Sequence, residues 1–276
     1  QSGNAAVVSS ADQLLLDPVG VQLKLVNFET VNVDGGAAGV LEVGDTLRGI
    51  FNITSGIALG AADPFRTLGG FELTGIFETE VISITPNGGP GSFSGIEFGP
   101  NAAFGTEIGY DGAMVAFYED FTPDFSPIAD GTIAGTEALA TDGDLYAVFG
   151  ADTGSVWGED YYWSSNGYAD VSDNGVFPAV TVFAASLELL AQPGTGITFT
   201  DGLTQVPSPN FDPLLALIEN ELVLQGNIAP NVFAPLGSPY PLESQDPVRV
   251  RAVPEPTSLM IFAGLFGVAA RRRRRS

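Results

Sequence analysis

The chain has 276 residues, 45% of them hydrophobic and 10% aromatic, enough to bury a core in one large domain or two small ones. Its 33 acidic residues outnumber 10 basic ones, and the net charge of −23 repels phosphates and excludes DNA or RNA as a partner. With no Cys and no His it has no disulfides, thiolate nucleophiles, zinc-thiolate sites or imidazole-dependent triads, which points away from familiar hydrolase chemistry and toward a protein that is not an enzyme.

Thirty-five Gly and 19 Pro favour many short strands joined by turns over long helices. The opening QSGNAAVVSSADQ has neither a basic n-region nor a long apolar h-region, so it is not itself a secretory signal. That fits either a signal already removed or a start inside a longer chain. VQLKLVNFETVNV, residues 21–33, alternates as a strand does, with Val21, Leu23 and Leu25 on one face, and DGGAAG after it reads as a turn. LRGIFNIT (47–54) and LTGIFETE (73–80) then share L-x-G-I-F. In extended chain Leu47, Gly49 and Phe51 face one side, as do Leu73, Gly75 and Phe77. A glycine two positions before each phenylalanine suits neighbouring strands in which a ring covers a bare glycine.

Further strands are expected over 71–85, 113–118, 145–149, 176–190, 221–225 and 247–253. Asp212-Pro213 before LLALIEN supplies an N-cap and an N1 proline for one short helix. The Pro-rich stretch 229–246 reads as an extended spacer. The pattern predicts an all-β fold: a single antiparallel β-sandwich or jelly-roll-like domain, followed by a short C-terminal transmembrane helix. Residues 1–228 form the acidic β-sandwich domain, completed by a last strand over 247–253. Residues 229–252 are the Pro-rich spacer and last strand, and 253–276 form a separate tail.

The densest polar-aromatic stretch is residues 141–175. Asp142, Asp144, Asp152, Asp170 and Asp173 offer hard oxygen ligands of the kind calcium takes, but no segment has the spaced acidic loop and closing glutamate of an EF-hand. A solvated acidic loop is the simpler account of them. Trp157, Tyr161 and Trp163 offer rings for stacking on sugars, against ordinary packing in a β core. The couplets Glu159-Asp160 and Glu119-Asp120 invite a glycosidase reading, yet neighbours on a strand point to opposite faces. The alternative to a purely structural domain is therefore a carbohydrate- or calcium-binding module using residues 141–175.

The chain finishes VPEPTSLMIFAGLFGVAARRRRRS, residues 253–276. LMIFAGLFGVAA, residues 259–270, falls short of the roughly 20 residues of a full bilayer span. It reaches across a thinned core when Arg271, Arg272, Arg273, Arg274 and Arg275 snorkel behind it. The arginines hold that end in the cytoplasm and leave the acidic body outside. Pro254, Glu255 and Pro256, then an apolar segment and an arginine cluster in that order, closely resemble the PEP-CTERM sorting signal of exported bacterial proteins. The same tail is also labelled an ice-binding protein C-terminal domain. The resemblance implies an exosortase as partner, which cleaves near Pro254-Glu255-Pro256. It also implies transient anchoring in the inner membrane, then a surface or extracellular location with association to exopolysaccharide or biofilm matrix. Prolines flanking Glu255 forbid helix and hold the backbone extended, as a protease substrate requires.

Overall fold

The structure is a computed structural model that describes residues 6–32, 42–86, 93–128, 131–166, 181–193, 196–204, 215–231 and 233–254. In chain order the elements are β1 (Ala6–Val8), α1 (Ala11–Leu15), β2 (Asp17–Asn32), β3 (Thr46–Ala58), β4 (Phe65–Leu68), β5 (Glu72–Pro86) and β6 (Phe93–Pro100). Next come α2 (Ala102–Ile108), β7 (Ala113–Asp120), α3 (Ile133–Ala140), β8 (Asp144–Gly150), β9 (Tyr162–Asn166), β10 (Thr181–Ala191) and β11 (Ile197–Phe199). The last are β12 (Leu203–Thr204), β13 (Glu219–Asn220), β14 (Leu222–Pro230) and β15 (Leu242–Pro254).

The fold is all-β and antiparallel throughout its main ladders, as expected. Its sandwich is closed at both margins. The path β3-β2-β15-β14-β10-β8-β7-β5 returns on itself because β5 pairs with β3, Ile50 lying opposite Ile76. A second bridge runs between β5 and β10. Residues 72–77 of β5 pair with β7 and residues 79–86 with β6, while β10 pairs with β9 over 182–186 and with β8 from Glu188. Closure satisfies edge N–H and C=O groups that an open sheet would present to other chains.

Inside the closed sheet, alternate residues form the main core. Val21, Leu23 and Leu25 of β2 are all buried there, with Leu47 and Phe51 of β3 and Leu73 and Phe77 of β5. The enclosed space is almost filled. A cavity of about 30 Å³ remains, lined by Phe77, Trp163 and Phe183 and, at its polar end, Asn27, Glu29 and Ser165. That is far below the roughly 300 Å³ at which small-molecule pockets begin. At the polar end Asn27 Nδ2 donates to Ser244 Oγ (2.9 Å), and Ser244 Oγ donates to Glu29 Oε1 (2.8 Å). The chain of bonds ties β2 to β15.

The outer face carries a second core. Phe28, Ile50, Ile76, Ala116 and Val148 lie directly opposite one another across β2, β3, β5, β7 and β8. Phe104 of α2, Ala140 of α3 and Tyr240 cover this row. Both helices begin on local caps: Asn101 Oδ1 accepts from the amides of Ala103 and Phe104, and Thr132 Oγ1 from that of Gly135. Arg48 pins them to the sheet. Its Nη1 meets Glu78 of β5 at 2.6 Å, its Nη2 meets Glu107 of α2 at 2.9 Å, and its Nε meets Glu137 of α3 at 2.8 Å. Burial works against the Arg48 charge, but the carboxylates outweigh it and hold the guanidinium well above its usual range.

The stretch 229–252 is no spacer. β14 continues to Pro230, Asn231 Nδ2 donates to Ser238 Oγ and to the Tyr240 carbonyl, and β15 then runs between β14 and β2. The prolines fit because they sit at a strand end (Pro230), in the short helical turn Ala234–Leu236 and just before β15 (Pro241). Pro247, inside β15, coincides with a gap in the β14–β15 ladder between Val248 and Ser244. Of the helix expected from Asp212, residues 211–214 lie outside the described residues, and Leu215–Leu217 form one 3-10 turn.

Candidate functional site

Among the described residues one group of carboxylates is close enough to hold a metal ion, and strand register builds it. Glu72 opens β5 and lies directly opposite Asp120 at the end of β7. Asp124 follows in the loop after β7, and Asp142 comes from the turn between α3 and β8. One oxygen from each of the four lies within 4.8 Å of the others. Glu72 is 8% exposed and accepts the Phe125 amide on both oxygens, at 3.1 and 3.3 Å. Burial raises its pKa above the usual glutamate value. The amides of Phe125 and Asp124 pull it back, and the charges of Asp120 and Asp124 push it up again. Asp142 is raised by burial first, then by Asp124 and Asp120. Among the described residues no Lys or Arg forms an ion pair with these like charges, and hard oxygens at this spacing suit a cation such as calcium.

Among the described residues, Asp142 is therefore the one aspartate of the expected metal set that joins this cluster, and its partners come from 18 to 70 residues away in sequence. Glu72 and Asp124 carried no local signal. Asp120 had one, as half of the Glu119-Asp120 couplet. The other half is spent on the backbone, since Glu119 Oε1 accepts the Ala11 amide at the start of α1 at 2.6 Å. Its pKa is raised by burial, lowered by that amide, and raised again by Asp12 and Asp144. Asp144 thus sits beside Glu119, apart from Asp142's group. The amide of Asp152 donates to Glu188 on β10. Glu159, Asp160, Glu188 and Glu219 line an open acidic hollow of about 420 Å³. Asp170 and Asp173 lie outside the described residues.

The rings are placed differently from a sugar-stacking row. Trp163 is 4% exposed and Tyr161 6%. Trp163 sits inside the closed sheet, 5.7 Å from Phe77 and 6.4 Å from Phe183 between ring centroids. Its residue partner on β10 is Ala185, which places it on the inner face. A ring buried to that degree offers no face to a sugar, which corrects the stacking expectation for Trp163 and Tyr161. Trp157 is half-buried against Tyr162, Leu215 and Ile218.

At the C-terminal end, Pro254 is the exposed last residue of β15, opposite Ile197 of β11. Ala252, two residues earlier, is fully buried. The sorting motif expected at Pro254, Glu255 and Pro256 thus begins on the last core strand itself. Glu255, Pro256, the apolar segment and Arg271–Arg275 lie outside the described residues. Among the described residues no helix is long and apolar enough to cross a membrane.

No curated protein and no solved structure matches the chain. A family match falls on its end, where residues 252–275 fit the PEP-CTERM protein-sorting motif. That motif implies export, a surface or extracellular destination and processing by an exosortase. Together with the order of Pro254-Glu255-Pro256, apolar segment and arginines, the match establishes that this chain carries a PEP-CTERM sorting signal fused without a spacer to the last strand of an acidic, closed antiparallel β domain.

Proposed function

We propose that the protein is a non-catalytic structural component of an extracellular polysaccharide matrix. Residues 259–270 hold it in the inner membrane, with Arg271–Arg275 on the cytoplasmic side, until an exosortase cleaves near Pro254-Glu255-Pro256. The sorting match carries this reading. The bonds of four buried or half-buried acids support its non-catalytic part. Glu72 holds the loop at Phe125, Glu119 starts α1, Glu221 accepts the Leu189 amide, and Asp17 accepts the amides of Val19, Gly20 and Gly60. Each is committed to backbone. The test is expression in an exosortase-bearing host, with mass spectrometry of the secreted form and fractionation of the matrix. The reading expects a product that lacks Arg271–Arg275 and sediments with exopolysaccharide. A secreted product that keeps the arginines overturns it.

A second reading, a calcium-stabilised module, is favoured by one observation: the convergence of Glu72, Asp120, Asp124 and Asp142. In that reading the cation relieves repulsion among the four and fixes the loop after β7 outside the cell, where calcium is abundant.

A further inference from the structure

Four of the five basic residues that precede the tail lie toward one end of the β4-β3-β2-β15 wall, the end at which β15 reaches Pro254. Two cations are already committed. Arg48 holds its three glutamates, and Arg66 donates to the carbonyls of Gln13, Leu14 and Leu16 at the end of α1. The other three, Lys24, Arg249 and Arg251, have no carboxylate within ion-pair reach among the described residues, although 32 acids precede the tail. Arg251 Nε donates to Thr200 Oγ1, a neutral group.

Register puts the three on the outer surface. Val21, Leu23, Val248 and Val250 point into the core, so Lys24, Arg249 and Arg251 point out. Arg249 lies opposite Gln22, Gln22 opposite Ile57, and Ile57 opposite Phe65, so these four share one row of that face. Phe65 is 56% exposed. Val19 and Leu59, at the same end of β2 and β3, are exposed as well. Unpaired cations interleaved with exposed apolar side chains are what an interfacial membrane contact uses.

Chain length names the occupant. Arg251 is three residues from Pro254, and the five residues from there to Leu259 reach at most about 17 Å. We infer that this face, centred on Lys24, Arg249, Arg251 and Phe65, docks on the anionic phospholipid headgroups of the membrane in which the tail is held. The inference rests on the membrane reading of residues 259–270. The acidic remainder is repelled from the same headgroups, so the contact orients the domain and presents Pro254-Glu255-Pro256 at the bilayer surface until cleavage.

The chain has no cysteine, so a single introduced one labels one place. The full chain is reconstituted in phosphatidylcholine vesicles with or without phosphatidylglycerol. It carries a fluorophore at Ser55→Cys, in the row of Lys24, or at Leu236→Cys, beyond the opposite end of β15. Headgroup-attached quencher should quench the label at 55 in phosphatidylglycerol vesicles and leave that at 236 bright. Quenching at 55 should be lost in phosphatidylcholine alone, in high salt, and in Lys24→Gln/Arg249→Gln/Arg251→Gln. The salt arm uses the unaltered face and so does not depend on the triple variant folding. Alkaline carbonate separates the two ideas. A chain washed from the vesicles sinks the membrane reading and this inference with it; a carbonate-resistant chain with equal signals at 55 and 236 overturns the inference alone. A face that stays bright on vesicles while the triple variant loses binding to an anionic polysaccharide also overturns it.

Discussion

The ring of Phe51 lies over Gly75, its direct partner across the β3–β5 ladder, and Phe77 lies in the same way over Gly49. The two L-x-G-I-F segments pair antiparallel about Ile50 and Ile76, so each glycine supplies the gap that the other strand's ring fills. A Cβ at position 75 would collide with the Phe51 ring and with the Ala116 carbonyl oxygen; at position 49 it would come within 2.6 Å of Phe77 Cζ and 2.5 Å of the Phe28 carbonyl oxygen. Gly75→Ala is expected to destabilise by about 3 kcal/mol, the upper range for overpacking. Phe51→Ala should relieve only part of that, because the Ala116 carbonyl stays. Urea denaturation of the two single variants and the double variant measures the coupling, expected at about 1–2 kcal/mol. Strict additivity would show that ring and glycine do not act together.

This closing pair of strands was legible because the motif repeats with a glycine and a ring in fixed offset. The alternation of Val21, Leu23 and Leu25 was equally plain. The outer core was not: Ile50 and Ile76 sit beside Phe51 and Phe77 in sequence, and period-two reasoning assigns one face to water. Both faces are buried there because α2 and α3 cover the outside. Those helices have seven and eight residues, too short to show a helical repeat. The prolines of 229–246 suggested a spacer because composition does not reveal which amides a ladder needs. The carboxylate cluster was hidden for a different reason: only the register that sets Glu72 against Asp120 brings its members together.

Arg48 ties two strands and two helices, and its side chain is only 20% exposed. Arg48→Met keeps the apolar stem but leaves Glu78, Glu107 and Glu137 facing one another without a cation. Loss of a partner from a fully buried ionic network costs about 3–5 kcal/mol, and with Glu107 half exposed the loss here should fall below that range. Arg48→Lys retains a charge but not the forked donors, and should recover only part of the loss. Thermal denaturation of the two variants checks the order. A Met variant as stable as the parent would mean that α2 and α3 dock by their apolar contacts alone.

Trp163 and Trp157 report on different surroundings. Trp163, packed between Phe77 and Phe183, should emit at short wavelength and ignore added oligosaccharide, and Trp163→Ala should cost about 3–5 kcal/mol. Trp157 is the half-buried ring. Fluorescence of the single-tryptophan variants separates the two. A sugar-dependent shift from Trp163 would contradict its position inside the closed sheet.

Glu72, Glu119, Asp142 and Glu221 all have folded-state pKa values above their ordinary ones, each with burial as the leading cause. A carboxyl raised in this way binds its proton more tightly in the folded chain than in the unfolded one. Stability therefore increases as pH falls from neutral, and the gain is complete near the unfolded carboxyl values of about 4. Scanning calorimetry should give a higher Tm at about pH 5.5 than at about pH 7.5. Glu72→Gln keeps an acceptor for the Phe125 amide and removes one of four clustered charges, so it should raise Tm at the higher pH and flatten the profile. A parent Tm that falls steadily on acidification would contradict the raised values.

A cation would do at neutral pH what protons do at low pH. If Glu72, Asp120, Asp124 and Asp142 bind calcium, the parent should take up the ion with an affinity of about 10⁻⁴–10⁻³ M, the range of extracellular modules. Its Tm should rise with calcium at neutral pH by mass action and return with a chelator. At acid pH the same addition should do less, because Glu72 and Asp142, whose pKa values burial raises, then bind protons in competition with the ion. Asp120→Asn should abolish the calcium response while leaving the Phe125–Glu72 bond in place. The control is Glu188→Gln, which alters the acidic hollow beside β10 and should leave the response intact. Calorimetry that detects no uptake at millimolar calcium removes the metal reading and leaves the four carboxylates as a repulsive patch held together by strand register.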